Sequence, residues 1–302
     1  MDKTIRMIGI DLDGTLLTRQ KELTAASKSA LEDAYRAGIE IVPVTGRPLA
    51  GVPREVLEIP GIRYVITSNG ANTYALAEEA RGRGDRILGG TMEGKTPGTV
   101  MRKAHLPHEV VRRVLEAAPG EAVIREIFIR GVGYHDPETR QMLEERFSVA
   151  PPILAYILRS RKTVDDFEQL LQDPSSHVEN ISLMFPSQAL RNAAFERIKR
   201  IRGDRGERLL HVLLPWKTDL EITHEQADKW KSLEDLGRHL GITDQEIMTL
   251  GDGDNDRPML LGAGLSVAMG NAPDFVKETA DRITDDNDHD GAAQAIREIL
   301  GL

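Results

Sequence analysis

Ile8-Gly9-Ile10-Asp11-Leu12-Asp13-Gly14-Thr15-Leu16-Leu17 decides the fold of this chain. The run Ile5 to Ile10 is short, apolar and β-branched, which predicts a buried β-strand. Strands of that kind belong to α/β proteins, where helices cover both faces of the sheet. Two carboxylates one residue apart follow at once, then a glycine and a hydroxyl residue. The carboxyl end of such a strand is where an open parallel sheet binds its ligands. Gly14 lets the chain leave the strand with a positive φ or a close backbone approach. The same four residues also read as an ordinary strand-ending turn, so the choice between turn and site rests on the rest of the chain.

Downstream of that strand, Thr24 to Ala37 predict a helix closed by Gly38, and Ile39 to Val44 predict a second buried strand. That strand ends in Thr45-Gly46-Arg47-Pro48, where a hydroxyl and exposed N–H groups at a helix start form a sensible phosphate cradle. Arg63 to Thr67 predict a third strand, ending in Ser68-Asn69-Gly70-Ala71, and the alternating stretches Thr73–Ala77 and Arg86–Thr91 predict a hairpin. A β-α-β-α-β order with polar residues at each carboxyl end is the signature of a doubly wound parallel sheet.

From Met92 the pattern changes. Helix-like segments (Pro107–Ala118, Pro137–Phe147, Val164–Leu171, Gln188–Ile201) alternate with strand-like ones (Ala122–Ile129, Ile181–Phe185, Leu209–Leu214), and none of these strands ends in a cluster of catalytic residue types. Residues 92–214 are expected to form an inserted α+β domain, with residues 1–91 and 215–302 as the core. The core is expected to resume near Lys217 to Thr223, followed by a helix over Asp228–Leu240. A strand over Glu246–Leu250 then runs into Gly251-Asp252-Gly253-Asp254-Asn255-Asp256, and a last strand over Gly264–Met269 ends in Gly270-Asn271-Ala272-Pro273.

The 302 residues suffice for two domains. Hydrophobic residues make up 40% and charged residues 29%, as in ordinary globular proteins, and no apolar run is long enough to span a bilayer. The first ten residues lack a signal-peptide pattern, and with no cysteine there is no disulfide framework, thiolate metal site or thiol nucleophile, so a cytoplasmic location fits. The net charge of -9 counts against a nucleic-acid partner. The eight histidines show no metal-binding spacing, and Ser68 and Ser187 lack a nucleophile-elbow context.

Parallel strands present their carboxyl ends on one edge, so Asp11 and Asp13 are expected to meet Asp252, Asn255 and Asp256 there. Such oxygens suit Mg²⁺, which takes few carboxylates, several waters and a substrate phosphate. Asp286, Asp288 and Asp290 read better as a solvated loop at a helix N-terminus.

Asp11-Leu12-Asp13-Gly14-Thr15, Thr45-Gly46-Arg47, a later lysine and Gly251-Asp252-x-x-Asn255-Asp256 together resemble, in that order, the four motifs of the haloacid dehalogenase superfamily. The position of the insert, the Ser68–Ala71 turn and the Ala268–Ala272 stretch resemble its Cof-type (IIB) sugar-phosphate phosphatases, which carry an α/β cap. The resemblance implies a Mg²⁺-dependent phosphomonoester hydrolase acting on a small phosphorylated metabolite, with no nucleic-acid or membrane partner. Asp11 would be the nucleophile and Asp13 the general acid and base. Mg²⁺ would be held by Asp11, the main-chain carbonyl of Asp13 and Asp252, with Asp256 orienting its shell. Leu12, Thr45, Gly46 and Asn255 would hold the phosphoryl oxygens, with Arg47, Asn69 and Asn271 in support. The lysine is one of Lys217, Lys229 and Lys231. Lys229-Trp230-Lys231-Ser232-Leu233 fits the family's Lys-Gly-x-Ala-Leu best, with Trp230 in place of a small residue. A phosphomutase is the near alternative within enzymes. A phospho-accepting signalling receiver is the alternative outside them, although it would need neither the insert nor Asp13.

Overall fold

The computed structural model describes residues 4–76, 99–120, 122–145, 151–215 and 217–302. The core sheet is built from β1 (Met7–Ile10), β2 (Glu40–Pro43) and β3 (Tyr64–Thr67) at the start of the chain and from late strands at its end. Between them come β4 (Asn72–Ala75), β5 (Thr99–Lys103), β6 (Ile124–Ile129), β7 (Val132–His135), β8 (Arg161–Thr163), β9 (Val178–Met184), β10 (Leu210–Leu213) and β11 (Asp219–His224). The late strands are β12 (Ile247–Gly251), β13 (Leu265–Ala268) and β14 (Arg282–Ile283). The core order is β14-β13-β12-β1-β2, parallel throughout, with β3 joined to the β2 edge by the parallel bridges Ile41–Ile62 and Val44–Ile66.

Every residue of β1 is buried, because the sheet is covered on both faces. Ile8, Ile10, Ile41 and Leu250 pack with Leu31 and Ala34 of the helix Ala25–Arg36 and with Ile296 of the helix Gly291–Leu300. Met7, Val42 and Ile247 pack on the other face with Leu233 and Leu236 of the helix Lys229–His239. The first helix starts where the sequence predicts: the Thr24 hydroxyl accepts from the Ser27 N–H, and Gly38 takes φ +82° just beyond its end. From β1 the chain winds outward to β2 and β3 on one side, while β12 lies on the other. The topological switch point therefore falls between β1 and β12, at Asp11 and Asp252.

The second sheet has the order β10-β11-β9-β6-β7-β8 and is antiparallel except for the β7–β8 pair. Ile127, Ile129, Ile181, Leu183, Leu220 and Ile222 line its apolar face, buried with Val110, Val111 and Val114 of the helix His108–Ala117 and Ala194 and Ile198 of the helix Gln188–Ile198. The opposite face carries Glu126, Ser182 and Glu221 in one cross-strand row.

Two strands near the ends of the expected insert pair differently from the expectation. Asp219–His224, expected to return the chain to the core, is hydrogen-bonded between β9 and β10 in the second sheet. Its alternation of Leu220 and Ile222 inward with Asp219 and Glu221 outward suits a one-sided antiparallel strand. Thr99–Lys103, expected inside the insert, instead pairs with β4, and β4 pairs with β3, making a three-stranded sheet beside the core. The predicted hairpin arm Thr73–Ala77 corresponds to β4. Its predicted partner Arg86–Thr91 lies outside the described residues. The strands β7 and β8 and the helix Pro151–Ser160 are not among the elements expected from the sequence. The helix expected over Val164–Leu171 is only Phe167–Leu171, started by the Asp166 carboxylate accepting from the Glu168 N–H. Among the described residues no helix is long and apolar enough to cross a membrane.

Candidate active site

Asp11 is the first residue past β1 and is buried, its N–H held by the Leu250 carbonyl of β12. Gly14 then turns the chain with φ +85°, and a Cβ there would lie 2.3 Å from Asp252 Oδ2. Glycine is needed at this position for its conformation and for its lack of a side chain. The turn brings the Thr15 hydroxyl to Asp252 Oδ1 at 3.3 Å. Asn271, in the turn that follows β13, donates to Asp252 Oδ2 at 3.1 Å and to the Gly14 carbonyl at 2.9 Å. Asn271 Oδ1 in turn accepts from the Asn287 N–H, and Asn287 donates to the Leu17 carbonyl. The acidic loop thus supports the site from behind through Asn287. Its own carboxylates face elsewhere: Asp286 bonds His289, Asp288 pairs with Arg19, and Asp290 accepts from Thr24.

Lys229 is the first residue of its helix, whose N-cap Asp228 accepts from the Lys231 N–H. Its ammonium is fully buried between Asp11 Oδ1 (2.7 Å) and Asp256 Oδ1 (2.5 Å). Lys217 and Lys231 are exposed. Asp256 Oδ2 accepts from the N–H groups of Asp252 and Gly253, so Asp256 is tied down on both sides. Trp230 is accommodated by Gly262, where a Cβ would lie about 2.1 Å from the indole ring.

Carboxylate oxygens of Asp11, Asp252 and Asp256 lie within 4.8 Å of one another. Burial first, then the Asp256 charge, raises Asp11 well above the usual carboxylate range, against the pull of Lys229. The same two causes push Asp252 up to about 7. One buried cation therefore leaves this cluster short of positive charge, and a hard dication fits the donor set.

Asp13 has different company. Arg47 grips its carboxylate with two contacts of 2.6 Å, and Lys21 Nζ lies 2.7 Å away. Burial would raise this carboxyl, but the Arg47 and Lys21 contacts outweigh it and hold Asp13 far below the usual range. Arg47 also donates to the Gly51 carbonyl and stacks on Tyr156 of the helix Pro151–Ser160, its guanidinium carbon 4.4 Å from the ring centroid. The Thr45 hydroxyl accepts from the Arg47 N–H. Ser68 and Asn69 are both in the left-handed region, φ 51° and 54°, and in this turn Asn69 Oδ1 accepts from Asn255 at 3.0 Å.

The family model for haloacid dehalogenase-like hydrolases matches residues 8–81 and 95–296. The chain belongs to that family. Among its relatives are Phosphatase YwpJ of Bacillus subtilis, 26% identical over 98% of this chain and 100% of that protein, and 5-amino-6-(5-phospho-D-ribitylamino)uracil phosphatase YcsE of the same organism, 27% identical over 98% and 96%. The fold is that of the subclass IIB sugar phosphatase BT4131, with a TM-score of 0.75 over 97% or more of each chain (98% and 100%) at 22% identity. It is a Cof-type haloacid dehalogenase-like enzyme of the phosphatase kind.

Within this haloacid dehalogenase-like frame the motif residues Asp11, Thr45, Lys229, Asp252 and Asn255 come from four different chain segments to one sheet edge. No motif in the sequence marks Lys21, Tyr156, Glu179 or Glu221. Glu179 Oε1 accepts from the Gly131 N–H at 2.7 Å and from Tyr74, and its Oε2 accepts from Ser68 at 3.0 Å. Glu221 Oε2 accepts from Asn69 at 2.7 Å. The one available signal was the alternation in Asp219–Thr223, which marks a sheet with a polar face.

Proposed function

We propose that this chain is a Mg²⁺-dependent phosphatase that hydrolyses a small organic phosphomonoester, of sugar-phosphate type, through an aspartyl-phosphate on Asp11. The observation that carries this reading is the buried Lys229 ammonium bound to Asp11 inside a cluster of three carboxylates. A carboxylate can approach a phosphate dianion only where positive charge offsets both.

Asp11, the main-chain carbonyl of Asp13 and Asp252 would hold Mg²⁺, with Asp256 behind them. When bound, the ion supplies charge compensation for the phosphoryl oxygens. Thr45, Gly46, the Leu12 main chain, Asn255 and Lys229 hold those oxygens. Asp11 attacks phosphorus in line, the bond to the ester oxygen breaks, and Asp13 gives that oxygen its proton. Asp13, now a carboxylate, takes a proton from water, which attacks the aspartyl-phosphate and frees inorganic phosphate and Asp11. Without substrate, Arg47 and Lys21 keep Asp13 ionised. Lys21, with 26% of its side chain exposed against 4% for Arg47, is the cation that yields when Asp13 carries the proton.

A phosphate-release screen over phosphorylated metabolites with Mg²⁺, with product analysis, tests the reading. Free phosphate in stoichiometric yield with the dephosphorylated alcohol is expected. An isomeric phosphate without free phosphate would make the enzyme a mutase, and a long-lived phosphoprotein without turnover would make it a receiver.

A further inference from the structure

Glu221 has one engaged oxygen and one open oxygen. Oε2 accepts from Asn69, whose own Oδ1 accepts from Asn255, and Asn69 also lies against Gly46, where a Cβ would be 3.1 Å from Asn69 Oδ1. Glu221 therefore stands one side chain behind the residues assigned to the phosphoryl oxygens. Oε1 has no donor among the described residues, and the residue keeps some accessible surface although protein surrounds it. On the same face, Ser182 is directly opposite Glu221 and Glu126, and Asp219 lies one pleat away. Glu126 is matched by Arg161 in a buried ion pair, whereas Glu221 makes no ion pair among the described residues. A carboxylate held by a neutral amide through one oxygen, with the other open, is an acceptor waiting for donors, and it repels anions.

Resting on the phosphatase reading, we propose that Glu221 sets substrate specificity. Its Oε1 accepts from a hydroxyl or ammonium group on the carbons next to the phosphoester. The enzyme thereby selects polyol or amino-alcohol phosphates and rejects phosphates that carry a carboxylate or second phosphate there. Ser182 offers a second hydroxyl to the same group.

The test compares kcat/KM for glycerol 2-phosphate, for 2-phosphoglycerate on the same three-carbon skeleton, and for phenyl phosphate, which has no donor beside the ester. The parent is expected to favour glycerol phosphate over phosphoglycerate at least tenfold, and equal or reversed preference overturns the proposal without any variant. E221Q removes the charge while keeping an oxygen for Asn69. In E221Q the glycerol-phosphate to phosphoglycerate ratio should fall at least tenfold, and the glycerol-phosphate to phenyl-phosphate ratio should fall as well. Ratios that stay within twofold of the parent in a folded, active E221Q overturn the proposal alone. A parent that releases phosphate from none of these esters, nor from any other, overturns the hydrolase reading and this one with it.

Discussion

The core edge and the two cap carboxylates that face it treat buried charge in opposite ways. At the core edge carboxylates and cations interlock: Lys229 bridges Asp11 and Asp256, and Arg47 and Lys21 flank Asp13. On the polar face of the cap sheet, Glu126 is paired with Arg161, but Glu179 and Glu221, the two carboxylates that reach the core turn, are hydrogen-bonded by neutral donors: Ser68, Tyr74, Asn72, Asn69 and a main-chain N–H. The difference teaches what each surface is built to meet. Interlocked charge with a surplus of carboxylates suits a cation and a dianion arriving together. Carboxylates on neutral donors fix geometry and select by hydrogen bonding.

The strongest way to break the comparison is Asp11→Asn. It keeps the shape and the contact to Lys229 but removes the attacking oxyanion, so turnover should fall about 10⁴-fold or more. Phosphate release as fast as in the parent would move the chemistry off the core edge altogether.

Lys229→Met comes next. It leaves Asp11 and Asp256 facing each other without their shared cation, and removing one partner of a buried pair costs about 3–5 kcal/mol of stability. Turnover should fall by about two orders of magnitude at the same time. Urea unfolding and phosphate release on one preparation check both. A variant that keeps full activity would transfer the phosphate-binding role to Lys217 or Lys231.

A third effect sharpens the contrast without mutation. Asp252 titrates near 7 in the folded chain, above its unfolded value, so it binds its proton more tightly when folded. Its stabilising contribution is complete below about pH 4 and is lost as pH rises through about 7. In the absence of divalent cations the melting temperature should therefore drop between pH 5 and pH 8, by about 5 °C or more. Added Mg²⁺ should restore it at pH 8 and change it much less at pH 5, where protons already occupy the cluster. A Mg²⁺ response that is equal at both pH values would remove the cation from Asp252.

These outcomes track what the sequence made legible. Short β-branched strands that run straight into Asp-x-Asp-Gly, Thr-Gly-Arg and Gly-Asp-x-x-Asn-Asp announce a parallel sheet and its edge, because both faces are buried and polarity is confined to strand ends. The cap offers no such concentration. Glu179 and Glu221 sit within strands, two among many acidic residues, and acquire their place only when a bulge at Phe128–Ile129 and the docking of β9 and β11 bring them to Ser68 and Asn69. Lys21 follows the same rule: its φ of 66° aims it back at Asp13 across a turn that no periodicity marks. The sheet membership of β5 and β11 is hidden for a related reason, since it is decided by pairing partners far apart in sequence.

The smallest effect, and the one that probes the cap side directly, is Glu179→Gln. The amide keeps an oxygen for the Gly131 N–H but turns an NH₂ group toward Ser68 or Tyr74, whose hydroxyls must reorient. Loss of one buried hydrogen bond on this scale costs about 1–2 kcal/mol. Burial raises the Glu179 carboxyl, so the parent is stabilised most when that group is protonated and loses this advantage as pH rises through its folded value. Gln cannot ionise and has no such slope. The stability deficit of Glu179→Gln, read from urea midpoints, should therefore be larger at pH 5 than at pH 8. A deficit that grows with pH would mean that the ionised carboxylate is favoured by a cation, and the cap face would then follow the same rule as the core edge. The pair Ser68 and Asn69, with φ values of 51° and 54°, gives an independent check, because the Ser68 hydroxyl and the Asn69 amide are both bonded to cap carboxylates. Amide exchange at Ala71, whose N–H is held by the Ser68 carbonyl, should quicken in the variant and leave Thr45, held by Ile66 of β3, protected.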